Sequence, residues 1–296
     1  MPKFSVIIAS VNGLPSIGEC LAALEKSRRD FDVEIIVVDS TDAATAANIE
    51  KNFPLVKLIK LPERLGIPEM RAIGMHEASG DFFIVIEDHC MVTENWFEEI
   101  KKAHDSGYEV VGGAVENGCT SRLIDWSVFL CEYSGFMPPI PVGEVEFLAG
   151  NNVSYGRSQI EQIDDSIKND FWEYFLQLEL RKKNIKFCSF PSIVVFHKKE
   201  FGFFYFLSQR FYYSRSFAAM RRKKSTLLQM VFYLAYTPIL PFHLMWRIVK
   251  NVVEKKRNRK ELVLSLPFLA IFMCSYAVGE FTGLLFGSGN SLLKVE

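Results

Sequence analysis

The sequence FSVIIAS, at residues 4–10, is a continuous apolar run of the kind that forms a strand buried on both faces of a parallel sheet. Further apolar runs follow it, separated by stretches with the apolar spacing of helices. The predicted strands cover residues 33–39, 56–60, 82–88 and 110–115, and the predicted helices cover residues 17–26, 43–51, 68–78 and 93–104. This alternation predicts an α/β fold with an open, mostly parallel, doubly wound sheet flanked by helices. Such a sheet binds ligands at the carboxyl ends of its strands.

The overall composition excludes two classes of protein. The 296 residues include 34 Lys and Arg against 35 Asp and Glu, which excludes a nucleic-acid binder because such proteins need a clear basic excess. Apolar residues make up 49% and charged residues 23%, so the chain is expected to be folded. The charge is uneven: residues 1–199 hold 20 basic and 30 acidic side chains, and residues 200–296 hold 14 and 5. The two parts are therefore expected to face different surroundings.

The composition changes near residue 200. Residues 201–217 contain nine aromatic side chains, a pattern typical of helices at a membrane interface. The apolar runs 227–249 and 262–286 are each long enough to cross a bilayer. We therefore predict an α/β domain (1–199), an aromatic and basic interfacial segment (200–226) and a C-terminal membrane region (227–296). The alternative, two core helices, requires a partner large enough to cover both.

Basic residues on both sides of the first apolar run affect its predicted topology. Residues 221–224 are all basic, and residues 250–261 hold six basic side chains against two acidic ones, so both segments prefer the cytoplasm. Two full spans would place one of them outside, whereas Pro238 and Pro241 favour a re-entrant or interfacial hairpin. No signal peptide precedes the first strand, so the α/β domain is expected on the cytoplasmic side of the cell membrane.

Three polar residues, Glu87, Asp88 and His89, end the fourth predicted strand. Carboxylate and imidazole groups at this end of a strand, beside the expected ligand crevice, can hold a divalent cation. A helix-capping cluster before Thr93 explains the same residues equally well. The triplet taken alone therefore leaves both interpretations open.

Four stretches in order carry a resemblance to a known family. They are SVIIASVNG at 5–13, VVDSTD at 37–42, MRAIGMHEASGDFFIVIEDH at 70–89 and GNNVSYGR at 150–157. Together they resemble the family 2 glycosyltransferases of GT-A fold, and the resemblance covers roughly residues 3–200. It implies a GT-A-type sheet and transfer of a sugar from a nucleotide-sugar donor, linked to UDP or GDP.

The resemblance assigns nucleotide-binding roles by position. Ala9, Ser10 and Asn12 correspond to the edge that holds the base and the ribose. Asp39 corresponds to the carboxylate that accepts a hydrogen bond from the base. Arg71 corresponds to the residue that contacts the diphosphate, where a guanidinium pairs with phosphate oxygens through more than one N–H.

The resemblance also implies a cation site. Glu87-Asp88-His89 corresponds to the D-x-D of the family, where the cation bridges the two phosphates. Asp88 and His89 are the predicted metal ligands, with Glu87 as support on the nucleotide side. His197, at the end of a strand predicted over residues 192–197, is predicted as an additional ligand. The cofactor is a divalent metal, Mn²⁺ or Mg²⁺, and the imidazole suits Mn²⁺ better.

The acceptor side of the site is predicted from a helix over residues 170–183. Aligning the Arg-Lys-rich end of this helix with the family brings Glu173 to the position of the catalytic base, and Asp170 replaces it if the register slips. The residues predicted to contact the donor sugar or the acceptor are Gly150, Asn151, Gln209 and Arg210.

The expected function is therefore an inverting, metal-dependent glycosyltransferase whose acceptor is lipid-linked or part of a surface polysaccharide. Direct transfer to a polyprenyl phosphate is an alternative, and it would leave Glu173 dispensable because that acceptor is already anionic. A non-catalytic membrane scaffold that binds nucleotide is a third possibility, since the D-x-D is altered and Trp172 occupies the site next to Glu173. The sequence leaves the oligomeric state open, a homo-oligomer included.

Overall fold

The chain forms two compact units, and the first contains the sheet. The structure is a computed structural model that describes residues 3–29, 31–163 and 172–295. Unit 1 comprises Met1–Gly118 and Phe136–Lys198, and unit 2 comprises Cys119–Gly135 and Lys199–Glu296. We expected residues 1–199 to form one domain, but Cys119–Gly135 belongs to unit 2, where its helix packs against the long C-terminal helix.

Unit 1 is built around a single open sheet. Its strands are β1 (Phe4–Ser10), β2 (Val33–Asp39), β3 (Val56–Lys60), β4 (Phe82–Glu87), β5 (Cys90–Val92), β6 (Val110–Asn117), β7 (Gly143–Val145), β8 (Val153–Gly156) and β9 (Phe187–His197). They lie in the order β3-β2-β1-β4-β8-β6-β9-β5, with β7 beside β9. The predicted α/β fold with a central sheet flanked by helices is confirmed.

The parallel part of the sheet consists of β3, β2, β1 and β4, with a second parallel pair in β6 and β9. Three short strands that the sequence analysis did not predict, β5, β7 and β8, pair antiparallel with their neighbours. Each has only three or four residues. Such segments are too short to carry a recognisable periodicity, so only their pairing partners define them as strands.

Helices cover both faces of this sheet. Those of unit 1 are α1 (Ser16–Arg28), α2 (Ala43–Asn52), α3 (Ile67–His76), α4 (Trp96–Asp105), α6 (Arg157–Glu161) and α7 (Glu173–Lys182). On one face, Ile7 of β1 packs in a buried cluster with Met75 of α3 and Leu176 of α7. On the other face, the ring of Phe4 lies 6.0 Å from that of Phe97 in α4. Strand residues alternate between the two faces, and the continuous apolar runs follow from burial on both.

Unit 2 is helical. It contains α5 (Leu123–Tyr133), α8 (Phe203–Lys223), α9 (Leu227–Tyr236), α10 (Leu240–Lys255), α11 (Arg259–Phe286) and a 3₁₀ turn at Leu292–Lys294. Helix α11 packs closely along α8, because Gly279 and Gly283 let the backbones approach: a Cβ at Gly283 would lie 2.2 Å from the carbonyl oxygen of Arg215. The GxxxG spacing of these two glycines thus corresponds to a helix contact.

The apolar runs of the C-terminal region form one long helix and one bent pair. Helix α11 is long and apolar enough to cross a membrane, and a window of 18 residues within it has a mean hydropathy of 2.0. Helices α9 and α10 meet the same criterion only when taken together, and they are bent by 71° where they join. The break follows the predicted effect of Pro238 and Pro241, and it fits either a broken span or a re-entrant segment.

Candidate active site

The carboxyl ends of three neighbouring parallel strands bring the predicted site residues to one edge of the sheet. In the strand register, Ser10 of β1 lies opposite Asp39 of β2, and Ala9 lies opposite Glu87 of β4. Strand β4 ends at Glu87, and α4 begins only at Trp96. Asp88 and His89 therefore lie in the turn between β4 and β5, and they do not cap the helix.

Glu87, His89 and His197 form a compact cluster of possible metal ligands. The Nε2 atoms of the two histidines are 2.9 Å apart, and Oε2 of Glu87 lies 3.4 Å from the His89 Nε2 and 4.0 Å from the His197 Nε2. Both imidazoles are buried. The pairing of β5 with β9 brings them together, because it places His197 opposite Cys90, the residue next to His89.

The donors in this cluster fit a divalent cation. Two ligand atoms at about 2.1 Å from one ion and at right angles to each other are about 3 Å apart, which is close to the separation of the two Nε2 atoms. Nδ1 of His89 donates to Oδ1 of Asp88 at 2.9 Å, and this bond leaves the lone pair of Nε2 available. Two imidazoles and one carboxylate suit Mn²⁺ better than Mg²⁺, which prefers oxygen ligands.

Asp88 differs from its predicted role, because its carboxylate lies outside this cluster. Oδ2 accepts the backbone N–H groups of Val11 and Asn12, each at 2.8 Å, and Oδ1 accepts Nδ2 of Asn12 at 2.6 Å. Burial by itself raises the pKa of Asp88, but the hydrogen bond and charge of His89 and the bonds from Asn12 outweigh it and lower the pKa. Asp88 is therefore a buried carboxylate whose two oxygens are both occupied by the protein.

Arg71 and Glu173 form an ion pair beside the cluster. Nη1 of Arg71 pairs with Oε1 of Glu173, and Nη2 lies 3.9 Å from Oε1 of Glu87. Gly150 leaves the space that Glu173 occupies, since a Cβ there would lie 2.9 Å from the Glu173 Cγ. Nδ2 of Asn151 donates to Oε2 of Glu87 at 3.1 Å. Arg71 and Asn151, from two distant segments of the chain, thus approach the Glu87 carboxylate, and Arg71 links it to Glu173.

A comparison with known proteins matches the first part of the chain to a family model. Residues 5–138 match the family model Glycosyl transferase family 2. The predicted resemblance to this family is confirmed.

A solved structure with the same fold is a mannosyltransferase, PcManGT from Pyrobaculum calidifontis, in complex with GDP-Man and Mn²⁺. The TM-score is 0.60 at 14% identity, over 96% of this chain and 87% of the other. Unit 1 thus has a GT-A-type fold. At this identity the likeness concerns the fold alone.

Two curated relatives match only parts of their own length. Polypeptide N-acetylgalactosaminyltransferase 12 of Mus musculus is 29% identical over 143 residues, which are 46% of this chain and 23% of the mouse protein. Dolichol-phosphate mannosyltransferase of Pyrococcus furiosus is 32% identical over 127 residues, which are 39% of this chain and 36% of that protein. The chain therefore matches well under half of the length of either relative.

The other residues predicted to contact the nucleotide lie at the carboxyl ends of β1 and β2. Ala9 and Ser10 end β1 and are buried, and among the described residues the Ser10 hydroxyl has no hydrogen-bond partner. Asp39 ends β2, is buried, and accepts a hydrogen bond from the Thr41 hydroxyl at 2.8 Å. Their nucleotide contacts stay a prediction.

Two of the predicted residues belong to unit 2, and a third is not described by the structure. Gln209 and Arg210 belong to α8 of unit 2, where Nε2 of Gln209 donates to the Lys294 carbonyl and Arg210 pairs with Glu132. Asp170 lies outside the described residues. The sequence analysis missed that Asp88 and Asn12 bond to each other. No local signal would have found it, since Asp88 lies in a turn and its partner Asn12 is 76 residues away in the sequence.

Proposed function

We propose that the protein is an inverting, metal-dependent glycosyltransferase that uses a nucleotide-sugar donor. The observation that carries this proposal is the cluster of Glu87, His89 and His197 at the carboxyl edge of the parallel strands, with Arg71 and Glu173 beside it. In an open α/β sheet, this edge is where ligands bind. The cluster thus stands where a nucleotide diphosphate would lie, and it offers groups for a cation, for a diphosphate and for a proton.

The donor diphosphate would meet positive charge from two sources. Glu87, His89 and His197 would hold the cation, with Mn²⁺ the best match to their imidazoles. When bound, such an ion stabilises the negative charge of a departing nucleoside diphosphate. Arg71 would bind phosphate oxygens through its guanidinium, whose five N–H donors suit that geometry. Asp39 and Ser10 would contact the base and the ribose, and the base (uracil or guanine) stays open.

Glu173 would be the catalytic base. Its carboxylate lies at the first residue of α7 and pairs with Arg71, so it belongs to the same small group of side chains as Glu87. In an inverting transfer this carboxylate would accept the proton of the acceptor hydroxyl as that oxygen attacks the anomeric carbon. The Arg71–Glu173 pair would then open when the diphosphate takes its place on Arg71.

The acceptor is proposed to be lipid-linked or part of a surface polysaccharide, with unit 1 on the cytoplasmic side of the membrane. Helix α11 is long and apolar enough to span a bilayer, and the α9–α10 pair exposes large apolar side chains such as Phe232, Phe242 and Trp246. A polyprenyl phosphate acceptor is the second candidate. It is favoured by the match to a dolichol-phosphate mannosyltransferase, whose name states a lipid phosphate.

The proposal predicts sugar release that depends on the metal and on the histidines of the cluster. The full chain in detergent would be incubated with a panel of UDP- and GDP-sugars, with Mn²⁺ or with a chelator, and both hydrolysis and transfer would be measured. We expect turnover with one donor class that the chelator abolishes. We expect His89→Ala and His197→Ala to lower it at least about a hundredfold, as for the loss of groups that stabilise transition-state charge.

His76→Ala is the matched control, because His76 is exposed at the end of α3. Turnover that survives chelation, or that is equal in His89→Ala and the control, would contradict the proposal. Nucleotide binding without hydrolysis or transfer for any donor and acceptor would favour the scaffold instead.

A further inference from the structure

Asp88 joins two segments of unit 1 that have different proposed roles. One segment is the Val11–Asn12 turn that follows β1, on the proposed nucleotide side, and its two N–H groups and the Asn12 amide donate to the carboxylate. The other segment contains His89, which belongs to the cluster of possible metal ligands and whose Nδ1 donates to the same carboxylate. The Asp88 side chain is 1% exposed, so these bonds form away from solvent.

The bond to His89 determines which nitrogen faces the cluster. A carboxylate acceptor at Nδ1 holds the proton there, fixes the ring orientation and makes Nε2 the available lone pair. The Nε2 of His89 lies 2.9 Å from that of His197, so the ring already points into the cluster. Without the carboxylate, the proton and the ring orientation would no longer be held.

The bonds to Val11 and Asn12 determine where the β1 turn lies. This turn directly follows Ser10, which lies opposite Asp39 in the register of β1 and β2. An ionised carboxylate that accepts two successive backbone N–H groups holds the turn firmly, because such charge-assisted bonds are about twice as strong as neutral ones. One side chain thus holds both the turn on the nucleotide side and the histidine on the cation side.

We propose that Asp88 is a positioning residue that couples cation binding to nucleotide binding, and that it is not itself a cation ligand. This inference rests on the proposed function, since it concerns the same site. The coupling is reciprocal: each ligand orders one side of the shared carboxylate and thereby lowers the cost of binding the other.

Unit 1 contains a matched control in Glu34. Its Oε1 accepts the N–H groups of two successive residues, Ser79 and Gly80, at 2.6 and 3.0 Å. Glu34 lies near the start of β2, at the end of the strands opposite to the proposed site. Glu34→Gln and Asp88→Asn therefore remove the same kind of carboxylate-to-turn contact, but only the second acts at the site.

The test is calorimetry on the full chain in detergent. The titrations are Mn²⁺ alone, UDP or GDP alone, and each ligand in the presence of the other. For Asp88→Asn we expect Mn²⁺ affinity to fall about tenfold or more, as for other residues that orient a metal-binding histidine. We also expect metal-free nucleotide affinity to fall severalfold, and the mutual enhancement of the two ligands to disappear. Glu34→Gln should leave all of these values within about twofold of the wild type, as expected for a change remote from the site.

A spectroscopic readout separates a positioning residue from a ligand. At saturating Mn²⁺, pulsed electron paramagnetic resonance detects the imidazole nitrogens bound to the metal. We expect Asp88→Asn to retain both imidazole couplings and His89→Ala to lose one. If Asp88→Asn abolished Mn²⁺ binding but left metal-free nucleotide binding intact, Asp88 would be a ligand and the inference would be wrong.

Other outcomes also decide the matter. If Asp88→Asn binds both ligands like the wild type, the inference about Asp88 is wrong and the proposed function still stands. If the wild type binds neither ligand, both the inference and the proposed function are wrong. If Asp88→Asn does not fold, Asn12→Ala replaces it, since it removes the Asn12 amide contacts to Asp88 and His89 and keeps the backbone donors. Asn12 is also predicted to lie on the nucleotide edge, so the deciding value is the affinity for Mn²⁺ alone: it should fall, and an unchanged Mn²⁺ affinity would contradict the coupling.

Discussion

At the scale of single residues, Glu87 links several groups of the site, because it lies near Asn151, Arg71 and both histidines. Its Oε2 accepts a hydrogen bond from Nδ2 of Asn151 and lies near both histidines. Its Oε1 lies on the side of Arg71. Glu173 reaches the same guanidinium from α7 through the space that Gly150 leaves. Arg71 therefore sits between two carboxylates. A ligand with a diphosphate would compete with these carboxylates for the positive charge of Arg71.

The proposed base gives a prediction at this scale. Glu173→Gln removes the proton acceptor but keeps the size of the side chain, so turnover with a hydroxyl acceptor should fall by about 10²–10⁴-fold. Turnover would be measured with a lipid-linked sugar acceptor and, separately, with a polyprenyl phosphate. The control is Glu179→Gln on the same helix, where Glu179 pairs with Lys182 away from the site. Near-normal turnover of Glu173→Gln would refute the role of Glu173 as base and would support the polyprenyl phosphate route, since that acceptor is already anionic.

At the scale of elements, α4 carries a half-buried histidine, His104, that links it to the sheet. Nδ1 of His104 donates to the Tyr108 carbonyl and Nε2 accepts the Ser154 hydroxyl of β8, both at 2.8 Å. Its ring stacks on Phe82 of β4 at 3.8 Å. Burial lowers the pKa of His104 from 6.5 to about 4, despite the carbonyl bond that raises it. The imidazole is therefore neutral in the folded protein at neutral pH.

This histidine makes folding stability depend on pH. The pKa is lower in the folded state, so below pH 6.5 the unfolded chain takes up a proton that the folded chain does not. The contribution of His104 to the free energy of unfolding is complete above about pH 6.5 and is lost as the pH falls from there through about 4. At pH 5 the loss is about 2 kcal/mol. His104→Gln should show a smaller drop in the thermal unfolding midpoint between pH 7.5 and pH 5 than the wild type. His76→Gln, at an exposed position, serves as the control, and an equal drop in the wild type and His104→Gln would refute the assignment.

At the scale of the whole molecule, the two parts of the chain differ in charge and in surface. Residues 1–199 hold 10 more acidic than basic side chains, since 30 − 20 = 10, and residues 200–296 hold 9 more basic than acidic ones, since 14 − 5 = 9. Unit 2 also exposes large apolar side chains along α9, α10 and α11. Exposed apolar surface next to basic clusters is typical of proteins that bind an anionic membrane.

The membrane proposal predicts how the full chain is extracted. It should sediment with membranes, stay there in high salt and be released by detergent, because burial of apolar surface is not screened by salt as the basic clusters are. Protease added from the cytoplasmic side of inverted vesicles should cut unit 1 and leave α11 protected. A soluble protein of known location, added to the same vesicles, controls for leakage. Release by salt alone would show that only charge attaches the chain.

The sequence by itself determined the strands β1 to β4, the helices between them and the resemblance to family 2 glycosyltransferases, because continuous apolar runs, helical spacing and ordered motifs are local properties of a chain. It also determined that Glu87, Asp88 and His89 lie at the carboxyl end of a strand, where such sheets bind ligands. Only the tertiary structure decided which of the three belong to the cluster of possible metal ligands. That depends on β5 pairing with β9, which brings His197 to His89 across 108 residues, and on the β1 turn, which takes up Asp88. Contacts between distant segments leave no periodic signal in the sequence, so they become visible only once the chain is folded.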